Sequence, residues 1–149
     1  MTYKEYEEKC NGIRKKNQVY LDEFKEDLIK AGLKEKTIKR HYTNVNFYIN
    51  TYLLREEPME MIKGTYSLTL NMFFGYFFIR KCTWSTPSTI KSTAASIKKF
   101  YKSMLQRGYI DEMYYEEVID TFDEDMDDWI SDCEAYNDLD SADPFFEFL

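Results

Sequence analysis

Two stretches decide the fold: TIKRHYTNVNFYINTYL, Thr37–Leu53, and TIKSTAASIKKFYKSML, Thr89–Leu105. They align without a gap at an offset of 52, with Thr37 on Thr89, Ile38 on Ile90, Lys39 on Lys91, Val45 on Ile97 and Tyr48 on Phe100. In the first, Ile38, His41, Val45, Tyr48, Ile49 and Tyr52 share one arc of a helix, and Lys36, Lys39, Arg40, Thr43 and Asn50 share the opposite arc. In the second, Ile90, Ala94, Ile97, Tyr101 and Met104 form the apolar stripe. Lys91, Lys98 and Lys102 fall within roughly 40° of each other at about 100° per residue. Each stretch therefore reads as an amphipathic helix with one buried and one basic face. Two copies do not make a solenoid; they indicate two helices used alike.

The same period runs outward along the chain, with five Gly, three Pro and no alternating strand pattern. TYKEYEEKCNGIRKK puts Tyr3, Tyr6, Cys10 and Ile13 on one side of a short helix, with Gly12 near its end. A second helix spans about Gln18 to Ala31 on Leu21, Phe24, Leu28 and Ala31, with Gly32 as a left-handed terminator. The first matched stretch lies in a helix from about Glu35 to Leu54. REEPMEMIKGTYS, with Pro58 and Gly64, reads as a loop. LTLNMFFGYFFIRK, Leu68–Lys81, is apolar nearly all round and predicts the most buried helix. Thr86 as cap and Pro87 at the first helical position open the next helix, which runs to about Gln106 and stops at Gly108. The expectation is an all-α, compact bundle of about five or six helices.

The net charge of −7 conceals a division. All 20 basic residues precede Asp111, together with 11 of the 27 acidic ones, a surplus of nine positive charges. The last 39 residues carry 16 acidic side chains and no Lys or Arg. The basic body favours a polyanionic partner, which the whole-chain isoelectric point near 4.8 would argue against. Cys10, Cys82 and Cys133 are scattered and outside metal-ligand spacing, so they read as reduced thiols that pack as small hydrophobes. The longest apolar run, Met72–Ile79, is far short of a membrane span, and the first residues show no signal segment. A cytoplasmic protein without cofactor or metal is expected. The one histidine, His41, sits on an apolar arc and reads as a hydrogen-bonded core or edge residue.

FKEDLIKAGLKEKTIKRHYTNVNFYINTYL followed by STPSTIKSTAASIKKFYKSMLQRGYI resembles the core-binding domain of tyrosine recombinases, the SAM-like N-terminal domain of phage integrases. The resemblance covers roughly Val19 to Ile110. Lys34 departs from it where a small capping residue is usual, as does His41 where an aromatic is common. It implies a SAM-like helical domain forming part of a clamp on duplex DNA, with the two matched helices toward the groove. The residues expected to meet DNA are Lys36, Lys39 and Arg40 from the first helix, and Lys91, Lys98, Lys99 and Lys102 from the second. The family's catalytic arginines and nucleophilic tyrosine belong to a downstream domain. No arginine follows Ile110, so Tyr114, Tyr115 and Tyr136 lack a cationic clamp for phosphate, and no catalytic residue is expected.

The acidic end has two competing patterns. Counting from Asp123, the residues Asp125, Asp127 and Glu134 take positions 3, 5 and 12 of a calcium loop, but position 6 is Asp128 where the turn wants glycine. Val118, Phe122, Met126, Trp129 and Cys133 recur at helical spacing straight through that loop. The expectation is one amphipathic helix from Asp111 to about Tyr136, with the apolar end DPFFEFL docking beyond it. Residues 1–110 then form a basic DNA-binding-like domain. Residues 111–149 form an acidic extension, packed on that domain, laid over its basic face, or serving as a partner-binding arm. The alternative function is a protein-interaction or DNA-mimic module, such as a phage-encoded inhibitor, acting through the acidic helix.

Overall fold

The computed structural model describes the backbone of residues 1–146 and the side chains of residues 1–138. Five continuous helices make up the chain, with no strand among the described residues. Helix α1 is Tyr3–Lys30. Helix α2 begins at Glu35–Phe47 and continues through a π turn at Tyr48–Tyr52. A short 3₁₀ turn, Met61–Thr65, interrupts the linker that the sequence marks as a loop. Helix α3 is built from Ser67–Met72, a π turn at Phe73–Phe77, and Phe78–Lys81. Helix α4 is Pro87–Gln106 and α5 is Glu112–Phe146.

The first two expected helices are one. Gly12 does not end α1, because its buried positions Cys10, Ile13, Asn17, Leu21, Phe24 and Leu28 follow one another at three- and four-residue steps. Asn17 keeps that face polar at its centre, donating to the Ile49 carbonyl at 3.3 Å and to Asn50 Oδ1 at 2.7 Å. Thr2 caps α1 by accepting from the Glu5 N–H, and Gly32, at φ 77°, turns the chain out of it. Thr86 and Thr89 form a reciprocal capping box at the start of α4, and Gly108, at φ 81°, follows its end.

The two matched helices, α2 and α4, pack against each other, and α5 lies along α4 and α3. Their buried aromatics converge on the linker. The Tyr48 hydroxyl donates to the Gly64 carbonyl at 2.8 Å, and the Tyr101 hydroxyl donates to the Met61 carbonyl at 2.8 Å. Burial pushes both phenols above their usual range. The two π turns bring Tyr48 and Tyr52 against Phe73, at ring separations of 4.8 and 4.7 Å. Arg107, just past α4, closes the other side of α4 by pairing with Glu23 and Asp27 of α1 at 2.7 and 2.8 Å. The Arg107 guanidinium, opposed by partial burial and helped by the Ser103 hydroxyl, holds the Asp27 carboxyl below its usual range.

Helix α3 departs from its sequence reading. Leu70, Phe73, Phe74, Phe78 and Ile79 are buried, but Leu68, Met72 and Tyr76 are exposed. It is therefore not covered all round.

The acidic helix joins the core. Val118, Phe122, Trp129 and Cys133 are buried within the same cluster as the residues of α2, α3 and α4. Trp129 stacks on Phe74 at 4.8 Å, and its Nε1–H donates to Asn71 Oδ1 at 2.9 Å. Asn71 in turn donates to Asp125 at 2.9 Å. The backbone is helical throughout Glu112–Phe146, so no twelve-residue calcium loop forms at Asp123–Glu134, and the helix continues past Tyr136. The end of DPFFEFL, residues 147–149, and the side chains of its earlier residues lie outside the described residues.

Candidate nucleic-acid interface

All seven sequence-predicted contacts, Lys36, Lys39, Arg40, Lys91, Lys98, Lys99 and Lys102, are exposed. None forms an ion pair within 4 Å among the described residues, where ion pairs involve only Lys16 and Arg107. The fold divides them into neighbourhoods. Arg40 of α2 and Lys99 of α4 flank the crossing of their helices, where His41 lies buried between them. The His41 Nδ1 is 2.7 Å from the Ser96 hydroxyl, and the Asn44 amide donates to the same oxygen at 3.0 Å. Burial first, then the charges of Arg40 and Lys99, pull the His41 pKa below its ordinary value, so the ring is neutral near pH 7. Lys36 sits one turn before Arg40 on the exposed arc of α2. Lys39 turns toward α1, lining a shallow groove with Asp22, Lys25 and Tyr42.

Lys91, Lys98 and Lys102 share a second exposed arc of α4, and Lys102 brings this shoulder to α5. Lys102 Nζ lies 5.1 Å from the centre of the Tyr115 ring. The acidic helix does not neutralise this shoulder by direct pairing: through Asp138, none of its carboxylates lies within 4 Å of a cationic side chain. Its polar attachments include hydrogen bonds from the Ser67 N–H to Glu117 at 3.2 Å, from Asn71 to Asp125, from the Trp129 N–H to Asn71, and from Asn137 to the Ser85 carbonyl at 3.3 Å.

The sequence reading missed part of this surface. One end of the α2–α4 crossing opens into a cleft lined by Thr43, Asn44, Phe47, Thr93 and Trp84. Trp84 is half exposed and rests edge-on against Phe47 at 5.7 Å. An indole in the polar turn CTWSTP, just ahead of a helix cap, was the available signal. The Asn44 amide and the exposed Thr43 hydroxyl beside it can donate to phosphate oxygens, as Arg40 and Lys99 can.

The three cysteines are free and buried. Burial pushes the Cys82 thiol up to about 11, which keeps it protonated and weakly nucleophilic. No helix among the described residues is long and apolar enough to cross a membrane. No protein-family model matches the chain, and neither a curated protein nor a solved structure does.

Proposed function

We propose that the exposed face of α2 and α4 binds duplex DNA, as a non-catalytic relative of the recombinase core-binding domain. The observation that carries this reading is the pairing of the two matched helices. Their buried faces meet at His41, Asn44 and Ser96, and their outward faces present Lys36, Arg40 and Lys99, with Lys91, Lys98 and Lys102 at the flank. Cations without acidic partners are free to neutralise phosphates and release counterions. The negative charge of α5 gives the molecule a polarity: its field repels the duplex on one side and leaves the α2–α4 face as the approach. In this reading the protein works in the cytoplasm on DNA connected with site-specific recombination, and it contributes binding, not strand chemistry.

The test uses the full chain, because Val118, Phe122 and Trp129 belong to the core and a cut after Ile110 would expose it. A labelled duplex titrated by fluorescence anisotropy should bind, with affinity falling steeply and log-linearly with salt. Arg40→Glu with Lys99→Glu should weaken binding by about 10-fold or more near 50 mM salt. Lys4→Glu with Lys9→Glu, the same charge change on the exposed side of α1, should weaken it far less. No affinity at low salt, or equal losses in both double variants, removes the proposal.

A further inference from the structure

A second surface, sharing no residue with the cationic face, is apolar; carboxylates border it along α5, while Arg80 lies over the Tyr76 ring at 4.4 Å and Lys63 over the Tyr66 ring at 5.1 Å. Leu68, Met72 and Tyr76 follow one another at four-residue steps on α3, and they are 75%, 43% and 50% exposed. The π turn at Phe73–Phe77 keeps Tyr76 in line with Met72 despite the drift of a four-residue repeat. At its start this row opens into a cleft shared with Tyr66, Met113, Tyr114 and Glu117. Met113 is itself 68% exposed. Scattered apolar side chains on a surface need no explanation, but a contiguous row continued by a second helix marks an interaction site.

The border says what the row fits. Glu117 reaches the Ser67 N–H and Asp125 reaches Asn71, so α5 runs along this side of α3. Glu124 and Asp128, seven and eleven residues after Glu117, extend the same edge of α5 and are exposed. A two-fold pairing of this surface with a second copy would bring two such acidic edges together; Arg80 and Lys63 offset only part of the charge of Glu117, Glu124, Asp125 and Asp128, so like charges oppose it. An anionic membrane surface is repelled for the same reason.

We propose that the Leu68–Met72–Tyr76 row is the docking site for a cationic amphipathic helix of a partner protein. Its apolar side chains would cover the row, and its Lys or Arg side chains would meet Glu117, Glu124 and Asp128. The geometry is that of a helix laid along a groove, read by anchors at helical spacing.

The probe is a synthetic 18-residue peptide of leucine and lysine arranged to give one apolar face, compared by calorimetry with a scrambled peptide of the same composition. The ordered peptide should bind the full chain at least about 10-fold more tightly than the scrambled one. Leu68→Ser with Met72→Ser, both at exposed positions, should remove that preference. Glu124→Gln with Asp128→Asn should weaken the ordered peptide and make its binding less salt-dependent. Equal binding of the two peptides, or an ordered-peptide affinity unchanged by Leu68→Ser with Met72→Ser, overturns the proposal. Sedimentation showing that the chain alone dimerises, and that Leu68→Ser with Met72→Ser returns it to monomer, overturns it in favour of a second copy.

Discussion

Trp129→Ala should cost about 3–5 kcal/mol of folding stability, enough to unfold much of a marginal domain. The indole is 2% exposed, stacks on Phe74 at 4.8 Å and meets Phe122 edge-on at 5.9 Å. Its removal leaves a cavity between α5 and α3 and strands the Asn71 carbonyl that its N–H satisfies. Urea unfolding followed by far-ultraviolet circular dichroism measures the loss as a lower midpoint. Trp129→Phe separates the two contributions: it keeps most of the packing, forfeits the hydrogen bond, and should cost less. Were the acidic helix a detachable arm, Trp129→Ala would shift the midpoint no more than an ordinary surface change, within about 0.5 kcal/mol.

Gly64→Ala should destabilise by about 2–4 kcal/mol through overpacking and loss of a buried hydrogen bond. A Cβ at this position would lie 2.2 Å from the Tyr101 hydroxyl and 2.8 Å from Tyr48 Cε2. Neither ring can swing aside, because both are fully buried and each hydroxyl is tied to a linker carbonyl. The same substitution at Gly12 provides the contrast. That site lies inside α1 with nothing within 4 Å of an added Cβ, so alanine there should stabilise by up to about 1 kcal/mol. Thermal denaturation of the two variants should move the midpoint in opposite directions. A Gly64→Ala protein as stable as the parent would mean that α2, α4 and the linker do not meet as described.

The all-helical class was legible because the 3.6-residue period is strong in α2 and α4, and caps such as Thr86–Pro87 and Gly32 mark the ends. The joining of two expected helices into α1 was not, because the residue that carries the buried stripe across the gap is polar. Asn17 reads as surface until its amide nitrogen is seen to donate to the Ile49 carbonyl and to Asn50. The π turns left no trace either. The run MFFGYFF looks apolar all round, and only the packing of Phe73 and Phe74 inward reveals that Met72 and Tyr76 face out.

The candidate site was legible as a sum of charge more than as an arrangement. Wheel geometry grouped Lys91, Lys98 and Lys102, yet the fold sets Lys102 of that group beside α5, over Tyr115. It joins Lys99 to Arg40 instead, across a His41–Ser96–Asn44 contact that no single helix could announce. The apolar stripe of α5 was readable from Val118 to Cys133, but its partner surface on α3 was not, since that requires knowing which face of α3 is inward.

His41 tests the DNA-binding account most directly. It is the only histidine in the chain, so its ring signals in a proton–nitrogen or proton–carbon spectrum need no assignment against others. Burial first, then Arg40 and Lys99, hold its pKa down, and phosphates seated on those two cations would cancel the part that their field contributes. A pH titration in saturating duplex should therefore show the His41 pKa raised relative to the free protein, and Arg40→Glu with Lys99→Glu should abolish the difference. A His41 titration left unmoved by a duplex that binds, or the absence of binding at low salt, would contradict the assignment of DNA to the α2–α4 face.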